Sequence, residues 1–257
     1  MKKKSLSEAL KQQVLFGPFM KTADPFFSEA AARAGFDFMI FDAEHGPNSP
    51  REMIPLILTA ESHGCIPVVR VGSLSQIEIQ RTLDMGVGGV QIPQIETRED
   101  AEKAVLFSKF HPQGMRGVCR YVRAADYSLK DKSEYFAQQN RDVAVIIHIE
   151  GERAVSNIDA IISVSGIDVI FIGPYDLSQS LGVPGEISHP RVTEAIEVIA
   201  QKCRVAGKCA GIFADSADTA KRYAEMGIGY VATSVDVGIF TSGCCALLKD
   251  IKGVAPD

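Results

Sequence analysis

Short, almost unbroken apolar runs alternate along this chain with longer amphipathic stretches, and the alternation repeats eight times. The runs at 14–20, 36–41, 67–72, 88–94, 142–150, 167–173, 209–214 and 230–236 are rich in Val, Ile and Phe and bounded by turn residues. That pattern predicts buried strands. Between them, helical spacing recurs over 24–35, 50–64, 75–85, 97–110, 152–164, 190–206 and 216–226, with a leading helix at 6–13 and a final one at 243–252. Start signals agree with the periodicity: Asp24 stands before Pro25 as an N-cap with proline in the first turn, and Pro50 opens the next helix. One connection, 111–140, breaks the rhythm. It contains GMRGVCRYVRAADYS, rich in arginine and without clean periodicity, and is expected to be a long functional loop.

Strands apolar along their whole length are covered on both faces, and strands separated by helices are joined by crossovers that make them parallel. Eight such repeats in 257 residues predict a closed (β/α)8 barrel, the TIM-barrel architecture, as one α/β domain spanning 1–257. A doubly wound open sheet would want a GxGxxG turn after an early strand. GVGGV at 86–90 precedes a strand instead, and the sequence has no Walker A motif.

Composition narrows the partners. An apolar fraction of 46% with 23% charged residues supports a large core, and a net charge of −5 argues against nucleic acid or an anionic membrane as the main partner. The basic start at Lys2, Lys3 and Lys4 is followed by polar sequence rather than the apolar core of a signal peptide, and no apolar stretch is long enough to span a bilayer. The six cysteines show no CxxC spacing, which fits a reducing cytoplasm and structural thiols.

In a (β/α)8 barrel the loops at the C-terminal strand ends converge, so polar residues there are candidates for chemistry. The second strand runs into Asp42, Glu44 and His45; acids at the mouth of a buried strand are unfavourable without partners. The third strand carries Arg70, the fourth Gln91 and Gln94, and the fifth His148 and Glu150. The sixth ends in GPYDLS with Asp176, and the eighth carries Ser234 and Asp236, whereas the seventh ends in Phe213 and Ala214. Any one of these reads as a strand-end cap; their accumulation at one end of a barrel does not. Glu44 has no assignable role beyond such a cap.

Glu150 and Asp176 follow neighbouring strands. Two carboxylates without nearby thiolates suit a hard divalent cation that keeps several waters: Mg²⁺ or Mn²⁺, with Co²⁺ a further candidate. Two solvated acids are the alternative. His148 shares a strand face with Glu150 and is open to three readings: a ligand, a hydrogen-bond donor to substrate, or a satisfied core histidine. Arg70, in an apolar strand, needs an anion. Its planar fork suits a carboxylate or enolate oxygen of a substrate, or a salt bridge to Asp42 or Glu44. The glycines of IGPYDLS leave backbone N–H groups free to approach an anion. No lysine falls at the inward end of a predicted strand, which argues against a Schiff-base route.

Taken together, FDFMIFDAEHGPN, PVVRVG, GVQIPQIETREDAEKAV, GMRGV, IEGERAVSNIDAI and DVIFIGPYDLSQSLG resemble the HpcH/HpaI aldolases, and the resemblance runs over nearly the whole chain. These are metal-dependent, class II pyruvate aldolases related to 2-keto-3-deoxy sugar acid aldolases. The resemblance implies a barrel whose last helix is exchanged between protomers, in a homohexamer built as a trimer of dimers. It implies that Glu150 and Asp176 bind the metal and that Arg70 holds the keto or enolate oxygen. His45 would be the catalytic histidine, paired with Asp84 across a subunit interface, with Asp42 in the same polar network. The backbone of Pro174, Tyr175 and Asp176 would bind the pyruvate carboxylate. The implied reaction is reversible cleavage of a 4-hydroxy-2-oxo acid to pyruvate and an aldehyde.

The chain departs from the family at His148, where glutamine is common, at Tyr175, where a small residue is common, and in CRYVRAAD after GMRGV. The resemblance implies that these positions border the substrate and bear on the choice of aldehyde. Two other readings stand beside the aldolase. One is a condensing enzyme of the citrate-synthase kind, joining an oxo acid and an acyl-CoA, because a citrate synthase of siderophore assembly also resembles this family. The other is a non-catalytic barrel serving in binding or assembly.

Overall fold

A computed structural model describes residues 5–253, so the basic start at Lys2, Lys3 and Lys4 lies outside the described residues. Eight parallel strands close on themselves in chain order: β1 (Leu15–Met20), β2 (Phe38–Asp42), β3 (Ile66–Arg70), β4 (Gly89–Ile92), β5 (Ala144–Ile149), β6 (Val169–Ile172), β7 (Cys209–Ala214) and β8 (Tyr230–Val235). β1 pairs with both β2 and β8, which closes the barrel as the sequence predicts. Register matters for the site. Asp42 lies opposite Arg70 and Arg70 opposite Gln91, so polar residues on adjacent strands stand side by side, while His148 lies opposite Phe171.

The short helix α1 (Leu6–Ala9) buries Leu6 against Leu15, Phe38 and Ile66, where it plugs the N-terminal end of the barrel. α2 (Pro25–Ala34) starts where Asp24 accepts from the Phe26 N–H. It is followed by α3 (Pro50–Ser62), α4 (Gln76–Asp84) and α5 (Arg98–Ser108). The aliphatic layer between strands and helices is continuous, from Met39 and Leu56 through Val145 and Ile161 to Ile199 and Val231.

Several sequence expectations need correction. The connection 111–140 is not irregular throughout: it holds a 3-10 turn at Arg123–Ser128 and the helix α6 (Lys132–Asp142). Asp131 caps α6 by accepting from the Ser133 and Glu134 N–H groups, and Tyr135 buries its ring against Phe110. α6 runs through Asp142, so the fifth strand begins at Ala144 rather than at 142. The helix expected over 152–164 is two pieces, α7 (Glu152–Ser156) and α8 (Ile158–Ile162), meeting at Asn157. Directly after β6 comes a seven-residue helix, α9 (Pro174–Ser180), where a loop was expected.

α10 (Pro190–Val205) and α11 (Ala217–Glu225) follow prediction, and α12 (Asp236–Lys252) begins well before the expected 243. Asp236 therefore opens a helix rather than ending a strand. Its carboxylate accepts from the Lys21, Thr22 and Val237 N–H groups and the Thr22 hydroxyl, which ties α12 to the end of β1. Along the rest of α12, Ile239, Phe240, Leu247 and Ile251 are exposed, and only Asp236 is buried.

Candidate active site

β2 ends in Asp42, which is wholly buried. Its Oδ1 accepts from the backbone N–H groups of Glu44 and His45 at 3.1 and 3.2 Å, an Asx turn that swings the chain out of the barrel and aims both side chains across its mouth. Gly46 makes the turn possible, since a Cβ there would lie 2.1 Å from the Asp42 carbonyl oxygen. From the adjacent strand, Arg70 donates through Nε and Nη2 to the two oxygens of Asp42, at 2.9 and 2.8 Å. Its Nη1 lies 2.9 Å from Glu44 Oε2. The sequence posed a choice between Asp42 and Glu44 as partner; the structure uses both. The guanidinium also covers the Phe19 ring at 4.8 Å and still lines the cavity, with N–H groups to spare.

Burial opposes charge on Asp42, but the hydrogen bonds and charge of Arg70, with the two backbone donors, outweigh it and hold the carboxyl below its usual value. Glu44 goes the other way: burial, reinforced by the charge of Glu150, outweighs Arg70 and pushes its carboxyl up. Glu44, which the sequence left as a bare cap, is thus an intermediate between Arg70, His45 at 4.0 Å and the Gln94 amide at 3.4 Å. Lys21 is a second omission. It stands at the end of β1, lines the cavity, and lies 3.7 Å from Asp42 Oδ2, so the expectation that no lysine reaches a strand end is corrected. The predicted strand stopped one residue short of it.

Across the mouth, Glu150 follows β5. Its Oε1 accepts from the Gln94 N–H at 2.7 Å and its Oε2 lies 3.0 Å from His148 Nδ1. Burial works against its charge, but His148, the Gln94 N–H and Arg70 prevail and set its carboxyl low. Asp176 sits in the first turn of α9, whose start at Pro174 directly after β6 turns it towards Glu150. Gly173 lies between the two acids. A Cβ there would fall 2.8 Å from Glu150 Oε2 and 3.8 Å from Asp176 Oδ2, so the absent side chain keeps open a space that both carboxylates face. The described residues hold no cluster of three or more His, Cys, Asp and Glu side chains suited to a metal. Two hard oxygen donors that leave the remaining positions to water and substrate fit Mg²⁺ or Mn²⁺.

Two cavities meet here, sharing His45 and Asp176. One, of about 510 Å³, is lined by Glu44, Gln94, Glu96 and Glu150 among others. The other, of about 330 Å³, runs over Phe19, Lys21, Arg70, Phe171 and Phe213. Tyr175 borders the second and donates to Asp215 Oδ2 at 2.9 Å. Asp215 extends the strand end that the sequence read as purely apolar. His148 is 1% exposed and lies beneath the cavities, stacked on Phe171. Asp84 is not brought to His45 within the chain. It ends α4, where Arg116 of the GMRGV motif donates to it at 2.8 Å beside Tyr121 and Tyr127.

A closed (β/α)8 barrel with a carboxylate pair, a doubly anchored arginine and a histidine at its C-terminal mouth has the equipment of a carbon–carbon lyase. The chain belongs to the HpcH/HpaI aldolase/citrate lyase family, whose pattern it matches over residues 15–242. It is 37% identical to the 5-keto-4-deoxy-D-glucarate aldolase of Shigella boydii, over 94% of this chain and 93% of that one. Among solved structures, an HpcH/HpaI aldolase from Desulfitobacterium hafniense superposes with a TM-score of 0.92 at 29% identity, covering 98% of each chain. The citrate synthase SbnG superposes with a TM-score of 0.88 at 29% identity, covering 97% of this chain and 98% of that one.

Proposed function

We propose that the protein is a class II aldolase that reversibly splits a 4-hydroxy-2-oxo acid, of the kind derived from sugar diacids, into pyruvate and an aldehyde. The observation that carries this is the space at Gly173, faced by Glu150 and Asp176; both acids line one cavity, and Asp176 also lines the neighbouring cavity that Arg70 lines. Glu150 and Asp176 would hold the divalent ion, which when bound supplies Lewis acidity to the 2-oxo acid. The named charges support a cation there: Asp42, Glu44, Glu150 and Asp176 outnumber Lys21 and Arg70.

The spare N–H groups of Arg70 are the donors for the 2-oxo oxygen, where negative charge grows as the C3–C4 bond breaks. Asp42 and Glu44 fix the guanidinium so that it need not reorganise. At Pro174–Tyr175–Asp176 the backbone N–H groups of Tyr175 and Asp176 are the donors for the carboxylate end. His45, exposed at the mouth, takes the C4 hydroxyl proton, and Asp84 of the partner subunit orients its ring. The bare apolar face of α12 supports an assembly in which that helix packs on a second copy, as in a trimer of dimers.

The relatives' substrate name guides the test. Cleaving 5-keto-4-deoxy-glucarate beside its keto-bearing half gives pyruvate and a hydroxy-aldehyde that carries a second carboxylate. The protein should release pyruvate from such a diacid faster than from an uncharged analogue. No pyruvate from any 4-hydroxy-2-oxo acid, with CoA released from acetyl-CoA and oxaloacetate instead, would favour the condensing reaction that the SbnG likeness supports.

A further inference from the structure

We propose that His148 is a positioning residue that fixes Glu150 for its cation, as the third member of a one-way hydrogen-bond chain that starts at Tyr230 in the barrel core. The inference rests on the metal-site reading above and adds the parts that hold the ligand still. Tyr230, Gln91 and His148 are all buried inside the barrel, on β8, β4 and β5.

The chain has a direction. The Tyr230 hydroxyl lies 3.4 Å from Gln91 Oε1 and donates to it. That turns the amide nitrogen of Gln91 towards His148, where the two Nε2 atoms are 2.6 Å apart. An amide nitrogen has only hydrogens to offer, so the imidazole Nε2 accepts. The ring hydrogen then sits on Nδ1 and is donated to Glu150 Oε2 at 3.0 Å. Every hydrogen in the chain points at Glu150, an arrangement in which successive bonds polarise one another.

Packing holds the chain in place. Phe38 stacks on Tyr230 with centroids 4.1 Å apart, and Phe171 stacks on His148 at 4.6 Å, so neither ring can swing without disturbing the core. The second oxygen of Glu150 is held independently by the N–H of Gln94, whose φ of 58° is the left-handed conformation that few residues other than glycine adopt. Each carboxylate oxygen thus has one fixed donor and keeps its remaining acceptor capacity for a cation. Residues that orient a ligand from behind set affinity as well as geometry; their loss typically weakens metal binding about 10–100-fold.

The test is Mn²⁺ binding to metal-stripped protein, without substrate, followed by the electron paramagnetic resonance of free Mn²⁺. His148→Phe keeps the stack on Phe171 but removes the Nδ1–H, and should weaken binding about 10–100-fold. Tyr230→Phe removes only the distal hydroxyl and should weaken binding by a smaller factor. Long-range proton–nitrogen spectra should show His148 in the Nδ1–H tautomer, and Gln91→Leu should abolish that preference. Unchanged Mn²⁺ affinity in folded His148→Phe, or a hydrogen on Nε2 in the wild type, overturns the proposal. If His148→Phe does not fold, Tyr230→Phe and the wild-type imidazole spectrum decide: unchanged affinity with the wrong tautomer is fatal to it. Wild-type protein that binds no Mn²⁺ defeats the metal-site reading itself, a distinct outcome.

Discussion

At Arg70 a single guanidinium serves Asp42, Glu44 and the cavity together, and each role constrains the others. Arg70→Met would leave the buried Asp42 with its two backbone donors and, among the described residues, Lys21 at 3.7 Å as its cationic neighbour. Removing one partner of a buried pair typically lowers stability by about 3–5 kcal/mol. Losing a donor to the developing oxyanion typically lowers kcat by about 10²–10³-fold. Melting curves and steady-state rates for Arg70→Met should show both losses. Arg70→Lys should recover little, because an ammonium cannot reproduce the fork that spans two acids.

Asp42 adds a pH dependence whose sign is fixed. Its folded pKa is lowered, so its contribution to stability is present above the ordinary aspartate value, about 3.9, and is lost as pH falls through the folded value. Thermal melts should therefore fall more steeply on acidification below about pH 4 in the wild type than in Asp42→Asn. The positions of Asp42, Arg70, Glu150 and Asp176 at one mouth were legible in the sequence, because each ends, sits within or closely follows a recognisable apolar strand. The role of Glu44, and Lys21 and Asp215 altogether, were not, because their partners Arg70, Asp42 and Tyr175 lie on other elements and closure of the barrel brings them together.

Among the elements, the strands were the most legible, since double-sided burial writes itself as runs of Val, Ile and Phe. Short helices were less so. α9 has seven residues and follows β6 with no intervening turn, and α6 announces itself mainly through the Asp131 cap. α9 nevertheless matters to the proposed site, because it delivers Asp176 to the side of Glu150. Gly173 at its N-cap has a φ of −94°, which alanine also adopts, so Gly173→Ala tests space rather than backbone strain. The new methyl would meet Glu150 Oε2 at 2.8 Å. The expected result is a folded protein of near wild-type melting temperature whose Mn²⁺ affinity, read by titration calorimetry, falls at least about tenfold. An unaltered affinity would remove Gly173 from the account of the metal site.

For the whole molecule, the barrel explains itself up to α12. The 17-residue α12 is anchored near its start by Asp236 and by Phe240 against Phe27, while Leu247 and Ile251 in its last turns are exposed. The proposed packing of α12 on a second copy predicts that Leu247→Glu with Ile251→Glu shifts sedimentation to smaller species while circular dichroism keeps the barrel signature. If His45 depends on Asp84 of the partner subunit, activity should fall in step with dissociation.

The most direct test of the central claim is pyruvate release from a 4-hydroxy-2-oxo acid by protein stripped of metal, before and after Mn²⁺ or Mg²⁺ is restored, with borohydride added in a parallel reaction. Near-complete loss on stripping, recovery on adding either ion, and no lysine adduct are expected if Glu150 and Asp176, rather than Lys21, organise the reaction as proposed. Full activity in the stripped protein, together with borohydride trapping of pyruvate on Lys21, would contradict it.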